Sequence, residues 1–165
     1  MILFLKNLIF TLLVPGTVAV LGPLSISGNA IVTNSWFLVP GFLFLLVGIS
    51  IYCWCLWDFA SFGRATPAPI DAPKHLVVRG LYHYSRNPMY IGVIFVILSW
   101  FFIFGDIFIL VYCLCIAICF QLFIVLYEEP ILQKLFGLEY TEYRTSVNRW
   151  MPSYVVTKFK LNTRG

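Results

Sequence analysis

Charged residues are scarce in this sequence. Asp, Glu, Lys and Arg make up only 11% of its 165 residues, whereas about a quarter of the residues in an average soluble domain are charged. Hydrophobic residues account for 61%. This composition excludes an ordinary soluble globular domain and indicates an integral membrane protein. The length predicts one domain over residues 1–165.

The sequence also lacks the patterns of nucleic-acid-binding proteins, of disulfide or metal-binding proteins, and of the soluble nucleotide-binding fold. The basic residues form no stripe on one polar face, so we do not expect nucleic-acid binding. The five cysteines lie inside apolar runs, and His75 and His83 lack ligand spacing, so we expect neither disulfides nor a metal site. No strand precedes a glycine-rich turn and a helix, which excludes the soluble nucleotide-binding fold.

Four apolar stretches approach the ~20 residues that a helix needs to cross a bilayer: 8–21, 37–57, 88–104 and 107–127. They predict an all-α membrane protein with a bundle of about four transmembrane helices. The first stretch also fits a signal-peptide core, and we favour a retained span. An uncharged outer loop is expected at 22–35, and Gly105-Asp106 predicts a tight helical hairpin.

The basic residues predict the orientation of this bundle. If the N-terminus is cytoplasmic, all eleven Lys and Arg residues fall on the cytoplasmic side, as basic loops usually do. Two polar segments then share that side: 58–87, which should be largely irregular, and a helical C-terminal segment from residue 128 onward. In the latter, Gly137 should end one helix, and Tyr140, Tyr143 and Val147 form a stripe facing the bundle or the lipid.

Asn87-Pro88 predicts the start of a helix, because Asn is favoured at the N-cap and Pro at the first helical position. Free backbone N–H groups near Met89 and Tyr90 would then lie beside Arg86. Such a helix end can bind a carboxylate or a phosphate. The alternative is that Asn87 only caps the helix and Arg86 only anchors the topology.

Glu128-Glu129-Pro130 is expected to end the fourth span. Two carboxylates at the C-terminus of an apolar helix oppose the helix dipole and need a cation or a wet cavity. Alternatively, both simply reach water. Seven aromatic residues cluster on the same side, where some could form a cage for a cation such as a sulfonium, although most are expected to be interface residues: Tyr82, Tyr84, Tyr90, Tyr127, Tyr140, Tyr143 and Trp150.

Taken together, these segments resemble the isoprenylcysteine carboxyl methyltransferases and the related phospholipid methyltransferases. The first part of the resemblance comprises Gly63-Arg64-Ala65-Thr66-Pro67-Ala68-Pro69, Leu76-Val77, Gly80-Leu81-Tyr82 and Arg86-Asn87-Pro88-Met89-Tyr90. The second part comprises Glu128-Glu129-x-x-Leu132, Phe136-Gly137-x-Glu139-Tyr140-x-x-Tyr143 and Val147-x-Arg149-Trp150-x-Pro152. The combination covers roughly residues 62–152 and is more specific than any one block.

The resemblance implies an enzyme that uses S-adenosylmethionine in a pocket at the cytoplasmic membrane face, formed by about 62–90 and 128–152 and closed by the C-terminal segment. It would methylate a lipophilic or small acceptor. By resemblance, the cofactor-binding residues would be Lys74, His75, Leu76, Val77, Tyr82, Asn87, Pro88, Met89, Tyr90 and Glu128. The residues expected to take part in catalysis are Arg86, Glu128 and Glu129.

Two positions depart from the prenylcysteine enzymes. Asn87 stands where they have His, and Ile124 stands where they place a substrate-binding arginine. The acceptor therefore stays open among a lipid amine, a thiol and a small apolar acid, which includes phospholipid N-methyltransferase and thiol S-methyltransferase activity. The rival interpretation is a small non-enzymatic membrane subunit. A transporter ranks last, because we see no inverted repeat. The sequence does not indicate the oligomeric state.

Overall fold

The structure is a computed structural model that describes residues 9–11, 13–28, 35–63 and 75–152. Within these ranges every regular element is helical, as the sequence predicts. The six α-helices are α1 (Gly22–Ser27), α2 (Ser35–Asp58), α3 (Pro88–Phe104), α4 (Ile107–Phe123), α5 (Glu129–Phe136) and α6 (Leu138–Ser146). Shorter turns are π-helical at Thr17–Leu21, Phe59–Gly63 and Ile124–Glu128, and 3-10 helical at Gly80–His83.

Two helical stretches are long and apolar enough to cross a membrane, Trp36–Phe62 and Ile107–Phe136. They contain the second and fourth predicted spans. α3, which matches the third predicted span from Pro88 to Phe104, is shorter. The predicted hairpin is confirmed: Gly105 adopts the left-handed conformation, and the Asp106 carboxylate accepts a hydrogen bond from the Phe108 N–H at 2.8 Å.

The first apolar segment extends further than predicted. Its helix was expected to give way to a loop at residue 22, but it continues through Ser27. Pro23 lies just after the π-helical turn Thr17–Leu21 and donates no backbone hydrogen bond to it. Trp100 Nε1 and Tyr112 Oη donate to the carbonyls of Ala19 and Val18 at 2.8 and 2.9 Å. Residues 29–34 of the predicted loop lie outside the described residues.

The expected helix end at Glu128-Glu129-Pro130 is wrong. The helix passes through the π-helical turn Ile124–Glu128 and continues as α5 to Phe136, ending at Gly137 as predicted. Pro130 directly follows the π-helical turn, and this local change in hydrogen bonding accommodates its missing N–H without ending the helix. The two carboxylates therefore do not lie at a helix C-terminus, and the dipole argument does not apply to them.

α2 and α3 pack together at two glycines. A Cβ atom added to Gly48 would lie 2.7 Å from the Gly92 carbonyl oxygen, and one added to Gly92 would lie 2.9 Å from the Gly48 carbonyl oxygen. The two backbones therefore touch, as small residues allow between membrane helices. This contact sets the separation of the helices that carry Asp58 and Asn87.

We expect Gly48→Val to lower the free energy of unfolding by about 1–3 kcal/mol, because its side chain would have to displace the α3 backbone. The measurement is unfolding in mixed detergent micelles. Cys53→Val is the matched control, since Cys53 lies on the same helix and is exposed. Equal stability of the two variants would contradict the close packing.

The C-terminal helix α6 packs against the segment before the 3-10 turn. Tyr140, Tyr143 and Val147 are buried with Leu76 and Val78 in one apolar cluster. The predicted stripe therefore faces the protein rather than the lipid. This packing brings the residues after α6 next to the start of α3.

Candidate functional site

Residues 148–149 lie across the start of α3. The Arg86 N–H donates to the Asn148 carbonyl at 3.0 Å. The Arg149 carbonyl accepts hydrogen bonds from Ser85 Oγ at 2.9 Å and from Asn87 Nδ2 at 3.3 Å. Next to them, Trp150 Nε1 donates to Gln121 Oε1 on α4 at 2.7 Å. The contacts of residues 85–87 with residues 148–149 join segments that are more than 60 residues apart in the sequence, and the contact of Trp150 adds α4 to them.

Asn87 is the N-cap residue of α3, as predicted, but its side chain makes no capping hydrogen bond. The expected capping role is therefore wrong, because the side-chain amide is used instead to bind the Arg149 carbonyl. The first-turn N–H groups of α3 consequently have no side-chain cap among the described residues.

Glu129 accepts hydrogen bonds from two arginines. Arg86 Nη1 lies 2.9 Å from Glu129 Oε1, and Arg149 binds both carboxylate oxygens, with Nε at 3.0 Å from Oε1 and Nη2 at 3.1 Å from Oε2. The side chains of Glu129 and Arg86 are only 8% and 9% exposed. Glu129 therefore does not simply reach water, and its carboxylate is fully engaged within the protein.

One N–H donor of Arg86 has no hydrogen-bond partner among the described residues. Its Nη1 contacts Glu129 and, at 3.4 Å, the Tyr140 hydroxyl. Its Nε is buried and has no hydrogen-bond partner within the described part of the chain. A buried guanidinium donor without a partner is costly, so this N–H is a candidate for binding an anionic ligand group.

Glu128 has a different environment from its neighbour. Its Oε2 accepts a hydrogen bond from the Tyr90 hydroxyl at 2.8 Å. The ring of Tyr90 in turn packs on Phe120, with 4.7 Å between ring centroids. No arginine or lysine pairs with Glu128 among the described residues, and the side chain lines two adjacent clefts. It is the carboxylate that a cationic ligand could reach.

The first cleft, which we call the aromatic cleft, has an empty volume of about 310 Å³ including its solvent-open part. The second cleft has about 240 Å³. The aromatic cleft is lined by Phe59, Tyr82, Arg86, Asn87, Met89, Tyr90 and Glu128. The second cleft is lined by Arg86, Asn87, Ile124, Glu128, Glu129, Leu132, Tyr140 and Tyr143.

Two tyrosines fix the walls of these clefts. The Tyr143 hydroxyl donates to the Tyr82 carbonyl at 2.8 Å, and the Tyr82 ring meets Phe59 edge-on, with 5.6 Å between ring centroids. Burial raises the pKa of both Tyr82 and Tyr143. Both phenols therefore stay protonated at neutral pH, and neither can serve as an anionic ligand for a cation.

The structure brings together Tyr82, Arg86, Asn87, Met89, Tyr90, Glu128 and Glu129 of the predicted site residues. Pro88 is buried at the start of α3. Leu76 and Val77 pack in apolar clusters and line neither cleft, and His75 is exposed. Lys74 lies outside the described residues. Across the described ranges, no three His, Cys, Asp or Glu side chains group as metal ligands.

Sequence reasoning missed Phe59 and the ion-pairing role of Arg149. Phe59 follows a 24-residue apolar helix, and nothing in its local sequence distinguishes it from other interface aromatics. Arg149 belongs to the C-terminal block that carries the resemblance, but its partner Glu129 is 20 residues away. Only the fold shows that the two meet.

A family model described as phospholipid methyltransferase matches residues 36–139. Because the match covers more than half of the chain, the chain belongs to the phospholipid methyltransferase family. The resemblance drawn from the sequence is thereby confirmed. Membership of this family supports a membrane methyltransferase in general and does not favour the non-enzymatic subunit. No curated protein and no solved structure gives a significant match.

Proposed function

We propose that this chain transfers a methyl group from S-adenosylmethionine to a lipophilic or small acceptor, with the donor bound in the aromatic cleft. The observation that carries the proposal is the environment of Glu128. Its carboxylate is held by Tyr90, has no cationic partner among the described residues, and faces a cleft walled by Tyr82 and Phe59.

The residues of the cleft fit the charged groups of this donor. Glu128 would bind the ammonium group, and the unpartnered Nε of Arg86 together with the uncapped start of α3 would bind the carboxylate. The rings of Tyr82 and Tyr90 would attract the cationic sulfur. When bound, S-adenosylmethionine supplies a methyl group activated by attachment to that sulfur. Met89 and Phe59 would exclude water around it.

Glu129 would act through Arg86 rather than on the ligand. Its carboxylate already accepts hydrogen bonds from both arginines, which fixes the direction in which Arg86 Nε points. In this proposal Arg86 and Glu128 touch the donor, and Glu129 positions Arg86. His75, Leu76 and Val77 would contribute indirectly, as the support of the turn that carries Tyr82.

We further propose that residues 1–165 form a single domain with four membrane spans and the clefts on the cytoplasmic side. The two long apolar helices would be joined by α3 and by the helical segment Thr17–Ser27. Packing of that first segment against Trp100 and Tyr112 supports its retention in the bundle. The location of the eleven basic residues supports the orientation.

The acceptor would enter from the second cleft. Ile124 and Leu132 offer apolar contact there, and Ile124 provides no cation for a substrate carboxylate. An isoprenylcysteine carboxylate is therefore a less suitable acceptor than a lipid amine or a thiol. The same lack of a cation at Ile124 makes a small apolar acid less suitable as well.

The test is calorimetric binding of S-adenosylhomocysteine to the detergent-purified protein, followed by transfer of a labelled methyl group into lipid, thiol or acid extracts. We expect saturable binding that is unaffected by adenosine alone, because the cleft residues recognise the amino-acid part of the donor. The labelled extract then identifies the acceptor. A protein that binds no S-adenosylhomocysteine, with its helical content intact, would refute the proposal.

A further inference from the structure

Asp58 carries a buried charge that the proposed mechanism does not use. It is the last residue of α2 and is only 1% exposed. Its Oδ1 pairs with Arg79 Nε at 3.1 Å, while Oδ2 is buried and has no hydrogen-bond partner within the ranges described. A buried carboxylate costs stability unless its charge is compensated, and here Arg79 pairs with only one of its two oxygens.

The surroundings of Oδ2 show what the carboxylate contacts. A Cβ atom on Gly80 would overlap Oδ2 and would lie 2.9 Å from Trp54 Nε1. Gly80 also has a φ of +59°, which other residues rarely adopt. A side chain at position 80 would therefore collide with the Asp58 carboxylate, and glycine avoids this. Asp58 lines neither described cleft, and its Oδ2 lies against the backbone at Gly80.

The contact between Asp58 and Gly80 lies close in the sequence to Phe59 and Tyr82, two residues that line the aromatic cleft. Phe59 directly follows Asp58, and the 3-10 turn Gly80–His83 places Tyr82 two residues after Gly80. The Tyr82 N–H donates to the Arg79 carbonyl at 3.1 Å. The position of Tyr82 relative to Phe59 thus depends on how Arg79 and Gly80 are held against the end of α2.

The Arg79 side chain contacts both Asp58 at the end of α2 and Phe62 in the π-helical turn that follows. Its side chain is 50% exposed and pairs with Asp58, and its guanidinium lies 5.5 Å from the centroid of the Phe62 ring. Without the carboxylate, only a partly solvated cation–π contact would remain, which is weak at exposed sites.

We propose that Asp58 is a positioning residue that fixes the 3-10 turn against the end of α2 and so sets the shape of the aromatic cleft. That the cleft takes the methyl donor rests on the proposed function. Loss of the Asp58 charge should then loosen the turn even without ligand and weaken donor binding.

The test compares Asp58→Asn with Asp106→Asn in two measurements. Asp106 lies beyond the far end of α3 and keeps its capping acceptor as Asn, so it is a matched control. The first measurement is hydrogen exchange of the amides of Tyr82, Tyr84 and Ser85 in the ligand-free protein. We expect faster exchange in Asp58→Asn alone. Unchanged exchange would overturn the proposal, whether or not the protein binds the donor.

The second measurement is calorimetry with S-adenosylhomocysteine. We expect Kd to rise about tenfold at unchanged stoichiometry, since small displacements of contacting groups have effects of this size. A merely structural role would instead lower the stoichiometry and leave Kd unchanged, which would overturn the positioning of the cleft. If Asp58→Asn does not fold, Arg79→Gln should show the same changes more weakly.

If the wild-type protein binds no S-adenosylhomocysteine, the proposed function fails separately. Hydrogen exchange still decides the role of Asp58 in that case. Faster exchange in Asp58→Asn would support the proposal that Asp58 fixes the 3-10 turn, and unchanged exchange would refute that proposal.

Discussion

Glu129→Gln should lower the free energy of unfolding by about 3 kcal/mol, which corresponds to a fall of about 6–12 °C in Tm for a protein of this length. The substitution keeps the shape of the side chain but leaves Arg86 and Arg149 without a counter-charge. Both guanidinium groups donate to this one carboxylate, and Arg86 is almost completely buried. Removing one partner of a buried ion pair costs more than the pair itself contributes.

The neighbouring variant Glu128→Gln is the natural control for this effect. Glu128 has no arginine partner in the described structure, so neutralising it leaves no cation unpaired. We expect its Tm to stay within about 2 °C of the wild type, because Gln keeps the shape of the side chain and can still accept the hydrogen bond from Tyr90. Equal destabilisation by the two substitutions would show that the ion pairs of Glu129 do not stabilise the fold as described.

Glu129→Gln should also disturb residues 148–149. Arg149 binds Glu129 with its side chain and the start of α3 with its carbonyl. With the side-chain contacts weakened, the carbonyl contacts alone would hold the segment. Limited proteolysis should therefore cut near residue 149 faster in Glu129→Gln than in Glu128→Gln.

The regular part of the fold could be predicted from the sequence because it depends on local signals. Pro88 at the first helical position, Gly105 after the last and the Asp106 cap determine α3 and its hairpin within the chain itself. The errors arose where a local signal was overridden. Glu128-Glu129-Pro130 is typical of a helix end, but a π-helical turn accommodates the proline and the helix continues to Phe136.

The site was predictable to the extent that its residues share a contiguous segment. Arg86, Asn87 and Tyr90 were identified together, and their proximity to Glu128 followed from the hairpin topology. The different roles of Glu128 and Glu129 could not be predicted, because they depend on Tyr90, which binds Glu128, and on Arg149, which binds Glu129 from 20 residues away in the sequence. The same holds for Asp58, whose partner Arg79 is brought to it by the loop between α2 and α3.

The difference in role between Glu128 and Glu129 leads to the largest predicted effect on ligand binding. We expect Glu128→Gln to raise the Kd for S-adenosylhomocysteine at least ~30-fold, since losing one partner of a desolvated charge pair costs about 2–5 kcal/mol. The measurement is calorimetry on folded protein. Glu142→Gln is the control, because Glu142 is an exposed carboxylate on α6 outside both clefts.

Tyr90→Phe separates the charge of Glu128 from its orientation. The substitution removes only the hydroxyl that donates to Glu128 Oε2 and should raise the Kd about threefold to tenfold, the value of one hydrogen bond. Because Tyr90 acts through Glu128 in this respect, the double variant should bind no more weakly than Glu128→Gln alone. Additive losses would mean that the Tyr90 hydroxyl contacts the donor independently of Glu128. Unchanged binding in Glu128→Gln would show that the ammonium group of the donor lies elsewhere.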